Sequence, residues 1–239
     1  MKIFAISDLH LSINNPKPMD IFGHAWNDYI EKITADWEKK VSDDDVVLIA
    51  GDISWAMKIE DAVSDLNFIG SLPGKKILIR GNHDYWWKSI SAVRNICPTN
   101  VFALQNDCIQ IGNYIFSGTR GWQLPDGKIK FTQEDKKLVD REIIRLDLSL
   151  SSAKTLKEKL EKENEETYTI VSLIHYPPFN AVKMNNEFTA LFEKYDAKAV
   201  VYGHIHSYPA RKEKITEING VRYYLTSCDQ IKNQLLQIF

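Results

Sequence analysis

The sequence predicts an α/β protein whose chemistry lies along one edge of a sheet. Three observations carry that prediction. Short apolar runs of strand character alternate with segments of helical spacing. The runs at residues 2–7, 46–50, 76–80, 168–174 and 197–202 each stop at polar residues drawn from Asp, His and Asn. Five of the six histidines fall at those stops, and only His24 lies elsewhere. In an α/β sheet such positions converge on the carboxyl edge, where loops build sites.

Composition bounds the problem. At 239 residues, 44% hydrophobic and 26% charged, the chain has the size and balance of one large globular domain. It shows no repeat, linker-like stretch or low-complexity tract, so a single domain over 1–239 is expected. A net charge of −2 lacks the basic footprint of bulk electrostatic binding to nucleic acid, though a local patch stays open. Cys97, Cys108 and Cys228 are odd in number and show no CxxC spacing, which fits buried, reduced thiols. The first apolar run is too short for a signal peptide and no run reaches membrane-span length, so the expectation is a cytoplasmic protein with no membrane partner. Oligomeric state leaves no mark in the sequence.

Each element has its own signal. Residues 2–7 read as a buried first strand, and Asn14 to Pro18 as a loop. From His24 to Val41 the apolar residues Trp26, Tyr29, Ile30, Ile33 and Trp37 share one helical face. Ser42 to Asp45 closes that helix, and the second strand breaks at Gly51-Asp52. A helix from Glu60 to Ile69 ends at Leu72-Pro-Gly74, and the third strand ends in Gly81-Asn82-His83-Asp84. Short β runs between Val101 and Phe116 turn at Gly112-Asn113, and Leu124 to Gly127 reads as a turn. Gln133 to about Glu166 carries one apolar stripe through Val139, Leu146, Leu150 and Leu160, and Ser149 to Ser152 marks a place where two helices could divide. The charged run Lys157 to Glu166 is a solvated face. After a fourth strand and a helix near Asn186 to Tyr195 comes the fifth strand. Asn219-Gly220 then turns a hairpin between Ile215–Ile218 and Val221–Thr226, and Leu235 to Phe239 supplies a last strand.

The stops contain Asp8 and His10, Asp52, Asn82 with His83 and Asp84, His175, and His204 with His206. Asp, His and Asn without thiolate suit Mn, Fe or Zn. So many ligands fit two ions sharing a carboxylate better than one tetrahedral zinc. Paired ions about 3.5–4 Å apart clamp the attacking and leaving oxygens of phosphoryl transfer.

Asp8-Leu-His10, Gly51-Asp52, Gly81-Asn-His-Asp84, Ile174-His-Tyr-Pro177 and Gly203-His-Ile-His206 together resemble the calcineurin-like metallophosphoesterase superfamily, in that family's order. The resemblance implies a four-layer αββα sandwich of two mixed sheets flanked by helices. It implies a first metal held by Asp8, His10 and His206, a second by Asn82, His175 and His204, and a bridge at Asp52. His83 would bind phosphate and protonate the leaving group, with Asp84 orienting it. The implied activity is hydrolysis of small phosphate mono- or diesters by water activated between two di- or trivalent ions. A non-catalytic scaffold of the same fold and a nuclease of the same superfamily are the alternatives, the nuclease disfavoured by the charge. Substrate contacts are expected from Arg120, Trp55 and Trp86, with Arg80 a weaker source of positive charge. Tyr85, Trp87 and Trp122 also follow motif residues closely. For Trp86 and Trp87, packing of the sandwich is an equal alternative. His24 and the cysteines are expected to be ordinary structural residues.

Overall fold

The computed structural model describes residues 1–125, 131–180, 185–207 and 213–239. Strands with two apolar faces must be covered on both sides, and this chain covers them with a second sheet and with helices. In β1 (Ile3–Ile6) and β2 (Val46–Ile49) every residue is buried. Phe4, Ile6, Val47 and Ile49 face a core shared with helices, whereas Ile3, Ala5, Val46 and Leu48 face a core between two sheets.

The first sheet runs β11-β1-β2-β3-β4, with β3 at Lys75–Leu78, β4 at Val101–Ala103 and β11 at Leu236–Gln237. β1 to β4 are parallel, and β11 adds antiparallel to β1. The second sheet runs β5-β6-β7-β8-β10-β9. Its strands are Cys108–Ile111, Tyr114–Thr119, Thr169–Ile174 and Ala197–Tyr202 for β5 to β8, then Ile215–Ile218 and Val221–Leu225 for β9 and β10. Only the edge strands β5 and β9 are antiparallel to their neighbours. Helices α1 (Tyr29–Lys40), α2 (Val63–Ser71) and α3 (Ile90–Ile96) cover the first sheet. Helices α4 (Gln133–Asn164) and α5 (Glu187–Lys194) cover the second. The result is the expected αββα layering of two mixed sheets.

Four details differ from the sequence reading. The first helix starts at Tyr29, because Asp28 takes a left-handed backbone (φ 49°) and leaves His24–Trp26 as a separate 3-10 turn. The second helix starts at Val63 and runs on to Ser71. α3 has no counterpart in that reading; Ser89 caps it by accepting from the Ala92 amide. α4 is unbroken over 32 residues, because Ser149 turns its hydroxyl into the sheet. The turn expected at Leu124 to Gly127 lies partly outside the described residues.

Candidate metal centre

The loops after β1 and β2 run side by side. Asp8 N donates to Gly51 O at 3.0 Å and His10 N to Asp52 O at 3.0 Å, while the Tyr29 hydroxyl of α1 donates to His10 O. Asp8, His10, Asp52 and His204 all hold left-handed backbones, with φ between 45° and 68°. Such conformations are costly for residues with a Cβ and cluster where a fold over-determines a site. The motif glycines leave room for this crowding. A Cβ on Gly81 would collide with Asp52 Oδ1, and one on Gly203 with Asp8 Oδ2.

The side chains gather in two groups, Asp8 with His10 and His206, and Asp52 with His175 and His204. Within each group the ligand-type atoms lie within 4.8 Å of one another. Asn82 Oδ1 lies 2.7 Å from both His175 Nε2 and His204 Nδ1. Asp52 Oδ2 is 3.5 Å from His175 Nε2 and 3.8 Å from His10 Nε2, which puts this carboxylate between the groups.

Hydrogen bonds fix which atoms point inward. His175 Nδ1 lies 2.8 Å from Ala50 O, which can only accept, so Nδ1 carries the proton and Nε2 presents its lone pair. His206 Nδ1 donates likewise to Asp229 Oδ1 at 2.8 Å, leaving Nε2 toward Asp8, 3.4 Å away. A carboxylate or carbonyl behind an imidazole is the usual support of a metal-binding histidine. His10 Nδ1 is buried with no hydrogen-bond partner among the described residues. Convergent lone pairs on oxygen and nitrogen donors therefore fit cations.

The electrostatics agree. Burial lowers the pKa of His10 and of His204 to about 3, so both imidazoles are neutral, as ligands must be. Burial raises Asp52 to about 7. Burial also opposes ionisation of Asp8, but the hydrogen bond from His206 and the neighbouring imidazoles hold that carboxyl well below its ordinary value. His206 is the exception: against burial, Asp229 and Asp8 raise it to about 10, so it is charged until a cation displaces its Nε2 proton. An Asp52 carboxyl raised by burial among acceptors is a group awaiting positive charge.

The sequence expectations fare unevenly around this centre. Trp55 stacks on His10 with ring centroids 4.8 Å apart and touches His83 at the same distance. It walls a cleft of about 380 Å³ with Met19, Trp26, His83 and His206. Trp86 does not reach that cleft. It is fully buried in the first core, and its indole donates to Asp84 Oδ1. Trp87 is buried beside it, donating to Gln105 Oε1. Asp84 does not contact His83 through its carboxylate. Its two oxygens accept from the Ile53, Ser54 and Gly81 amides and from Trp86, so it fastens the β2 loop to the β3 loop. His83 Nδ1 is buried with no hydrogen-bond partner among the described residues, and the His83 amide donates to Asp52 Oδ1 at 2.8 Å. Arg120 lies outside the cleft, its guanidinium over Trp122 and its carbonyl accepting from the His175 amide. His24 lines the cleft instead of lying apart from it. Asp229 escaped the sequence reading altogether; it too follows a strand, β10, but no motif block announces it.

Comparison with known proteins places these residues in context. The family model described as calcineurin-like phosphoesterase matches residues 1–208. No curated protein matches the chain. Among solved structures, a protein of unknown function, AQ665 from Aquifex aeolicus, is 14% identical with a TM-score of 0.50, covering 99% of this chain and 95% of that one. TT1561 of Thermus thermophilus is 12% identical with a TM-score of 0.56, covering 98% and 96%. At these identities the two structures speak for the fold alone. Among the described residues no helix is long and apolar enough to cross a membrane.

Proposed function

The chain belongs to the calcineurin-like phosphoesterase family, and from that premise we propose that it hydrolyses small phosphate mono- or diesters with two metal ions. The observation that carries the reading is the pair of three-residue groups joined by Asp52, with Asn82 beside the second. Asp8, His10 and His206 would hold one ion and Asn82, His175 and His204 the other, with Asp52 placed to serve both. Ions bound there supply an activated water and neutralise charge on the phosphoryl oxygens during in-line displacement. Mn, Fe and Zn all suit this donor set.

The protein's own groups do the rest. His83 faces the cleft between Trp55 and His10, where a leaving group would depart. Burial lowers its pKa, so it enters the cycle neutral. An arriving phosphate anion favours the protonated form, so His83 takes up a proton from solvent as substrate binds and then hands it to the leaving oxygen as the ester P–O bond breaks. Asp84 acts one step back, holding the backbone that carries Asn82 and His83. Trp55 closes one wall and keeps the reacting groups from bulk water.

The test is direct. Purified protein given Mn²⁺ should hydrolyse 4-nitrophenyl phosphate or its bis-ester, with two metal ions per chain by elemental analysis. Two bound ions with no hydrolysis of any ester would instead favour a metal-binding scaffold, and cleavage confined to DNA or RNA a nuclease.

A further inference from the structure

Beside the metal centre lies a second cavity, of about 310 Å³, with an unusual charge. Arg80, Lys88, Arg120, Arg141 and Arg145 line it, and Glu142 is the one carboxylate among the lining residues. Five cations and one anion give a local charge of +4, in a chain whose net charge is −2.

Glu142 neutralises only part of the cavity, through two of its own arginines. It is fully buried and already engaged by Arg145 at 2.7 Å, by the Thr119 hydroxyl at 2.9 Å and by Arg141 at 3.5 Å. Arg80 Nε is buried without a hydrogen-bond partner, and Arg80, Lys88 and Arg120 form no ion pair among the described residues. Burial lowers the pKa of Arg120, and the charges of Arg80 and Arg141 press in the same direction against the pull of Glu142. Forked guanidiniums left unpaired around one cavity match an oxyanion of high charge.

The cavity opens on the same sheet edge as the metal centre. Arg80 immediately precedes Gly81-Asn82-His83, and Arg120 directly follows β6, its carbonyl accepting from the His175 and Tyr176 amides. We infer that this cavity is an anion subsite for a second phosphoryl group of the substrate, so that the substrate class is phosphoesters bearing two phosphoryl groups. The inference rests on the phosphoesterase reading for its substrate half and on the cavity alone for its anion half. A phosphoryl group fits both the charge and the donor geometry, with about −2 charge and three acceptor oxygens.

Two measurements test it. Inorganic phosphate titrated calorimetrically into metal-stripped protein should bind at one site. Lys88→Ala and Arg120→Gln should each weaken that binding about 10-fold or more. Lys88 is exposed, so its loss leaves the fold intact. With Mn²⁺ present, esters carrying two phosphoryl groups should show a KM about 10-fold below that of matched monophosphates. Lys88→Ala should erase that difference while leaving 4-nitrophenyl phosphate kinetics unchanged. Equal phosphate binding by wild type and both variants, or equal KM for both ester classes across a panel, overturns the subsite. Phosphate binding without hydrolysis of any ester overturns its assignment to a substrate and the phosphoesterase reading together. Hydrolysis without phosphate binding sinks the subsite and leaves that reading standing.

Discussion

His206 is the most open of the gathered histidines, and Asp229 is what aims it. Asp229→Asn should therefore lower metal affinity about 10- to 100-fold, read by chelator competition, with little change in fold. Asp52→Asn removes the carboxylate lying between both groups, so metal content and activity should fall together. His83→Asn separates the two functions. It should retain both ions by elemental analysis yet slow turnover of esters with poor leaving groups about 10²- to 10⁴-fold. Full rate in that variant would end the general-acid assignment. At this scale the gathering of the motif side chains was legible, because ligand chemistry restricts such positions to few residue types. Trp86 and Asp84 were not. Their roles depend on whether an indole or a carboxylate turns inward toward backbone donors, which sequence spacing does not specify.

Among the elements, α4 does most to position what surrounds the centre. Ser149 accepts from the Gly118 amide at 2.8 Å and donates to Asp107 O at 2.6 Å, fastening the helix to β6 just before Arg120. Ser149→Ala removes the partner of the buried Gly118 amide and of the half-buried Asp107 carbonyl and should destabilise the protein by about 1–3 kcal/mol, measured by denaturant unfolding. The helix start is also specified. Thr132 and Asp135 form a reciprocal capping box, and Thr132→Ala should cost about 1 kcal/mol. Serines within a helical pattern read as a break because their hydroxyls compete locally with the backbone. In α4 one of those hydroxyls bonds across to the sheet instead, a partner invisible along the chain. α3 escaped notice because seven residues hold too little periodicity to separate it from the loop. The strands, by contrast, announced themselves through unbroken apolar runs.

For the whole molecule, the imidazoles make the metal-free fold sensitive to acid. His10 and His204 have folded pKa values of about 3, below the ordinary 6.5. Their contribution is full above 6.5 and is lost as pH falls toward 3, since the unfolded chain takes up protons the folded chain refuses. Asp52, raised to about 7, offsets part of this, because its contribution declines as pH rises from 3.8 to 7. His206 contributes fully below 6.5 and loses its contribution as pH rises through about 10. Chelated protein should therefore lose about 5 °C or more in Tm between pH 6.5 and 4.5, by calorimetry. Each three-residue group also draws on both sheets. Asp8 and His10 follow β1 and Asp52 follows β2, while His175 follows β7 and His204 and His206 follow β8. An ion held in either group would therefore clasp the two layers together. A first ion would fix their spacing, and a second would then meet it already fixed. Loading should be positively cooperative, with a Hill coefficient above 1, and the amides of β2 and β8 should gain hydrogen-exchange protection in step.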